Sequence, residues 1–218
     1  MKNLPKRLSV AAGLAVATMM TSSAVAFAAT AAAPFTVTAG SSVTGVANVT
    51  GAASGTAAAP AFRLLNTITG ATVNCVAAKL AGTATLGPST GANLIQLNSS
   101  SYGGCTIVIG GSTFAATVNQ LGTWHFNGTS TSGGLTTGVV SSVAIKVTSA
   151  ACSFTAAGNS DASYTNSSTA FNYLPGSNVL NVGAVGGCAG QWLNGHTAWQ
   201  ETLVPYLITT NLGPLAIF

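Results

Sequence analysis

The sequence predicts an all-β protein: an antiparallel sandwich or barrel, organised as two duplicated β units and clipped by two disulfides. Three observations carry that expectation. Val, Ile, Thr, Phe and Tyr gather in short runs separated by Gly, Asn, Ser and Pro, the composition of strands and turns. Four cysteines, Cys75, Cys105, Cys152 and Cys188, fall into two similarly spaced pairs. Charged residues make up only 4% of the chain, so its polarity comes from Ser, Thr, Asn and Gln.

Residues 1–28 have the layout of a secretory signal peptide. Lys2, Lys6 and Arg7 form a positive start, the stretch from Leu8 to Met20 carries no charge, and Ala26-Phe27-Ala28 offers an A-x-A cleavage site. The apolar run is too short and too Ala-rich to be a membrane span, which needs roughly 20 strongly apolar residues. The expected mature chain starts near Ala29, is exported to the medium or the cell envelope, and has no transmembrane helix. Beyond Ala28 only Arg63, Lys79, Lys146, Asp161 and Glu201 are charged, so three cations against two carboxylates leave +1. Those cations are scattered, which excludes the clustered basic face that nucleic acid requires. Low charge also removes the signature of disorder.

Strands are expected, in order, over residues 35–38, 42–49, 61–66, 71–77, 93–98, 105–109, 113–119 and 123–127. They continue over 138–148, 151–156, 163–166, 178–182 and 197–208. Gly110-Gly111 between two β-rich runs reads as a hairpin turn, and Asn194-Gly195 has the favoured two-residue turn composition. Val143 to Val147 alternates apolar with small or polar side chains, as a half-buried strand does. No window after residue 28 has a helical stripe.

An even number of cysteines behind a secretion signal reads as a disulfide framework. The members of the pairs are 30 and 36 residues apart, and this match favours Cys75–Cys105 with Cys152–Cys188; other pairings stay open on spacing alone. Each clip would stabilise the fold by about 3.5–4 kcal/mol in the chain-entropy model. No C-x-x-C occurs and only two histidines exist, so neither a zinc site nor any other metal or cofactor is expected. The second cysteine of each pair follows two glycines, Gly103-Gly104 and Gly186-Gly187, and a Gly-x-Thr follows each, at Gly111 and Gly195. The expected organisation is therefore a first β unit over 29–127 and a second over 128–218. Whether they are two sandwiches or one continuous barrel is left open by halves of this size.

In these features the chain resembles small secreted β-rich proteins of actinobacteria, which share the signal peptide, the two Cys pairs and the Gly-Cys motif. That resemblance implies export and the fold but no activity. A second resemblance, to the enediyne-binding apoproteins, rests on low charge, Gly/Thr-rich strands and two disulfides, and implies small-ligand binding by analogy. Those proteins are about half this length and have shorter disulfide loops.

Catalytic residue types are sparse: His125, His196, Asp161 and Glu201. No G-x-S-x-G nucleophile elbow is present, and nothing in the sequence brings the two carboxylates together as a glycosidase pair. His125 lies between Trp124 and Phe126, so in a strand it faces away from both, and His196 follows a turn. No enzyme is expected. Binding candidates are aromatic: Trp192, Trp199 and Tyr206 foremost, with Tyr102, Tyr164 and Tyr173, and Trp192 is expected to be exposed. Such residues stack on sugars or flat ligands, and equally fill cores. Sequons stand at Asn48, Asn98, Asn127 and Asn166.

The functional expectation is an exported, non-enzymatic protein of the cell surface or medium with a structural or adhesive role. Its expected contacts are a cell-wall or glycan surface, or copies of itself. A small-ligand or glycan-binding module is the alternative. A membrane barrel pore is a further one, supported by positive mean hydropathy and the terminal Phe218 and opposed by runs of only five or six residues.

Overall fold

The computed structural model describes residues 35–218; the expected signal peptide lies outside the described residues. Fourteen strands follow one another: β1 (Phe35–Ala39), β2 (Gly45–Ser54), β3 (Phe62–Asn66), β4 (Thr72–Ser89), β5 (Ile95–Ile109), β6 (Ser112–Gln120) and β7 (Trp124–Ser132). After them come β8 (Leu135–Ser149), β9 (Cys152–Thr165), β10 (Ala170–Leu174), β11 (Leu180–Gly187), β12 (Thr197–Glu201), β13 (Tyr206–Thr210) and β14 (Leu215–Ile217). All the pairings are antiparallel, so the expected all-β antiparallel class holds.

Side-chain alternation dictates these elements. In β2, Ala47, Val49 and Ala53 are buried while Asn48, Thr50, Ala52 and Ser54 are exposed. In β8, Val143, Ile145 and Val147 face in between the outward Ala144 and Lys146. A period of two with apolar residues on one face is what a sheet needs to cover a core on one side only.

The pairings form a circuit that returns to its start. β4 bonds β5; β5 bonds β6 and β7, placed end to end; both bond β8; and β8 bonds β9. β9 bonds β10 and β11; these bond β13 and β12; and those bond β2 and β3, which return to β4. The order from β2 to β7 is thus retraced from β8 to β13, with β8 in the place of β2 and β3, and β10 with β11 in the place of β5. The expected boundary at 127/128 lies within β7 (Trp124–Ser132). Off this circuit, β1 pairs β14 and the end of β4. β1 and β14 bury Phe35, Val37, Ala39, Leu215 and Ile217 completely. The hydroxyl of Tyr164 donates to the Leu215 carbonyl at 2.6 Å, and Asn166 both donates to and accepts from the Ile217 backbone.

Three strands are much longer than expected: β4 has 18 residues, β5 has 15 and β9 has 14, while β8 extends the expected run over 138–148 to Leu135–Ser149. The short runs read from the sequence were interrupted by glycines that bend a strand without ending it. Gly82 sits at a register shift between β4 and β5, and a Cβ there would meet the Gln96 carbonyl oxygen at 1.9 Å. Gly158, six residues after Cys152, has φ +154° and lies against the Val179 carbonyl. Side chains are excluded at both positions while pairing continues on either side. Conversely, the single strand expected over 197–208 is two strands, because residues 202–205 end in Pro205, which has no donor for the ladder. β10 and β14 were not foreseen.

The interior combines aliphatic side chains with a cluster of aromatic ones. Trp124, Phe126, Phe171, Tyr173 and Tyr206 are all at most 1% exposed and meet edge to face, with ring centroids 5.2–6.4 Å apart. Such contacts add about 0.5–1.5 kcal/mol each beyond the area they bury.

Candidate functional site

The four cysteines form the two expected local disulfides, Cys75–Cys105 and Cys152–Cys188. Cys75 stands directly opposite Cys105 in the β4–β5 ladder, with Cα atoms 3.9 Å apart. Cys152 stands opposite Gly187 in the β9–β11 ladder, and its partner Cys188 is the next residue. There the chain leaves the sheet through a short left-handed turn: Gly187, Cys188, Ala189 and Gly190 have φ of 75°, 69°, 43° and 77°. The region is tied down from β3. Asn66 Nδ2 donates to the Gln191 carbonyl and to His196 Nδ1, both at 2.9 Å, while Asn66 Oδ1 accepts from the backbone of Ile68 and Thr69.

Next to this turn lies a correction to the expected binding surface. Trp192 is fully buried, stacked on Phe154 with centroids 4.2 Å apart and planes at 14°. The glycines before it release the chain from the sheet only for the turn to fold it back over the end of β9. Tyr206 is also fully buried. Trp199 alone of the three foremost candidates is partly exposed, and its indole N–H donates to the Gly176 carbonyl at 3.1 Å. The three residues therefore do not share one platform.

Tyr102, Tyr173 and Tyr206 converge inside instead. Burial pushes each hydroxyl pKa well up, and the neighbouring phenols push those of Tyr173 and Tyr206 further. Tyr102 packs on Phe62 at 4.5 Å, and its hydroxyl accepts from Ser100 Oγ. The side-chain amide of Gln200, 1% exposed, approaches the Tyr173 hydroxyl without meeting hydrogen-bond geometry.

The ionisable residues hold the fold. Asp161 accepts from the Asn178 backbone N–H at 3.1 Å and from its Nδ2 at 2.6 Å, closing the excursion between β10 and β11. Glu201, only 7% exposed, is paired with the Arg63 guanidinium across the β3–β12 ladder. Trp124 and Phe126 point into the core on either side of the half-buried His125, as alternation predicts.

A feature not foreseen lies on the outer face of β13, β2, β4 and β5. Cross-strand register places Thr209, Thr50, Ala81 and Ser99 in one row and Leu207, Ala52, Lys79 and Ser101 in the next. Because most of these side chains are small, the face is hollowed into a groove of about 670 Å³. A second hollow of about 460 Å³, bounded by Val204, Pro205 and Leu207, also ends on Lys79. No linear motif marks it, since its residues meet only through register.

Comparison with protein families, curated proteins and solved structures finds no match to this chain. Structure and site together define a class: a disulfide-clipped, antiparallel all-β protein with most of its aromatic residues in its interior. Its two disulfides fit an extracellular protein, and no helix among the described residues is long and apolar enough to cross a membrane.

Proposed function

We propose that the protein is an exported, non-catalytic scaffold of the cell surface or medium, with a structural or adhesive role. The observation that carries this reading is the inward placement of most of its aromatic residues, Trp192 and Tyr206 included, behind an outer surface of Ser, Thr, Asn and Ala with exposed aliphatic side chains such as Val46, Ile68 and Leu207 among them. A glycan-binding site needs exposed aromatic anchors beside convergent polar groups, and two of the three foremost candidates for that part, Trp192 and Tyr206, are in the core. Both carboxylates are engaged in holding backbone or a guanidinium, which favours a scaffold over an acid–base catalyst. A pore reading loses support from the same alternation: the long strands turn Val, Ile, Phe and Trp inward, whereas membrane barrels present such residues to lipid. A surface with so few charges has little electrostatic repulsion between copies, which suits self-association or retention in a wall.

The test is fractionation of a culture of the source cells, with peptide mapping of the non-reduced protein and sedimentation velocity over a range of concentrations. Expected are a product in the medium or wall fraction, peptides linked through Cys75–Cys105 and Cys152–Cys188, and concentration-dependent association or wall retention. Free thiols in a cytosolic product would overturn the proposal, and so would turnover of a substrate by the purified protein.

A further inference from the structure

We propose that the groove on β13, β2, β4 and β5 binds the anion of a single-chain fatty acid, its carboxylate at Lys79 and its alkyl chain along the hollow towards Leu207 and Pro205. The inference is independent of the scaffold role and adds a ligand to it. Two hollows, of about 670 and 460 Å³, share one side chain, Lys79, the one charged residue among those lining either. Lys79 has no counter-ion within the described residues: Asp161 is engaged by Asn178 and Glu201 by Arg63, and these are the only two carboxylate side chains of the sequence. Lys79 is an exposed, unneutralised ammonium with Ala52 and Leu207 on one side of it and Ser101 on the other, and this favours a ligand with one anionic end and an apolar tail lying towards Leu207.

The walls select the rest of that ligand. Leu207 is 56% exposed on one side, with Val204 and Pro205 beyond it, and Ala52, Ala77 and Ala81 form much of the floor. Ala is a weak strand former, yet here it repeatedly occupies lining positions and leaves space where a β-branched side chain would fill it. A peptide is a poor occupant. β2 is hydrogen-bonded to β13 and β4, and β4 to β2 and β5, so their backbone donors and acceptors are already in ladders. A peptide backbone laid in the hollow would lose water without finding partners. An alkyl chain has no such groups to satisfy and removes apolar wall from water at roughly 25 cal/mol per Å².

The experiment is titration calorimetry of the oxidised, secreted protein with dodecanoate below its micelle threshold, with dodecanol and dodecyltrimethylammonium as probes of the head group. Expected are saturable binding of one dodecanoate per chain and much weaker binding of the other two. Lys79→Ala should weaken binding on the order of tenfold, as for loss of a hydrogen bond to a charged group, and Lys79→Glu should remove it. Lys146→Ala, which removes an exposed lysine outside the groove, should leave binding unchanged. Ala52→Phe fills the hollow from an exposed position and should abolish binding while thermal unfolding and both disulfides stay as in the parent. Absence of saturable binding, equal binding of all three probes, or equal losses in Lys79→Ala and Lys146→Ala would each overturn the proposal. None of these outcomes bears on export or wall retention, so the two readings fail separately.

Discussion

Cys75 and Cys105 face each other inside a continuous ladder, whereas Cys188 lies one residue beyond the last ladder partner of Cys152, where the chain is already leaving the sheet. Around the first disulfide, β3 bonds β4 and β6 bonds β5, so hydrogen bonds hold both strands from each side. Around the second, Cys188 and Ala189 are held in the left-handed region, at roughly 1–2 kcal/mol each for residues with a Cβ. What opposes that strain is the disulfide, the Trp192–Phe154 stack and the Asn66 hydrogen bonds. Two clips of similar loop length therefore differ in what depends on them. One reinforces pairing that exists without it, and the other fixes a segment that has little pairing of its own.

The largest expected effect comes with alkali. The hydroxyls of Tyr102, Tyr164, Tyr173 and Tyr206 are all pushed above their usual value near 10 by burial. A raised pKa in the folded chain means that stability is unaffected below pH 10 and falls as the pH climbs beyond it, because only the unfolded chain releases those protons. Ultraviolet titration should show phenolate appearing together with loss of the fold; early ionisation of Tyr173 or Tyr206 in a folded chain would contradict their burial. Next in size, the Cys152→Ala/Cys188→Ala protein should lose about 4 kcal/mol or more in urea unfolding, and its near-ultraviolet signal from Trp192 should collapse. The matching Cys75→Ala/Cys105→Ala protein should lose about 3.5 kcal/mol and keep that signal. Equal spectral effects from the two pairs would erase the distinction. Asn66→Ala should destabilise by about 1–3 kcal/mol, since it leaves the Ile68 and Thr69 donors without their partner and the Gln191 carbonyl with the Thr69 hydroxyl as its remaining donor. The smallest change is a gain: Ala189→Gly should raise thermal stability by an amount on the order of 1 kcal/mol, because glycine accepts φ 43° without strain.

Residue chemistry made the class of fold and the pairing of the cysteines legible. Val143 to Val147 announces a half-buried strand locally, and Gly110-Gly111 and Asn194-Gly195 form turns where they were expected. Strand length was not legible, because Gly82 and Gly158 have the composition of terminators but are required by close backbone approach from strands distant in sequence. The orientation of Trp192 depends on Phe154, on another element, and on a left-handed turn that no propensity for Cys or Ala suggests. The groove at Lys79 depends on register alone: shift β2 by one residue against β4 and Ala52 turns inward while Ala53 turns out.

The pairing of the first described strand with the last has a consequence in time. Val37 lies opposite Ile217 and Thr36 exchanges both backbone hydrogen bonds with Phe218, so this seal cannot form until nearly the whole chain is available. The circuit has the same property, because β2 waits for β13. Contacts of such long sequence separation fold slowly. A chain threaded across a membrane from its N-terminus could pair β1 with β4 early, but the other edge of β1 would stay open until β14 had followed, so closure would come only after the whole chain had crossed.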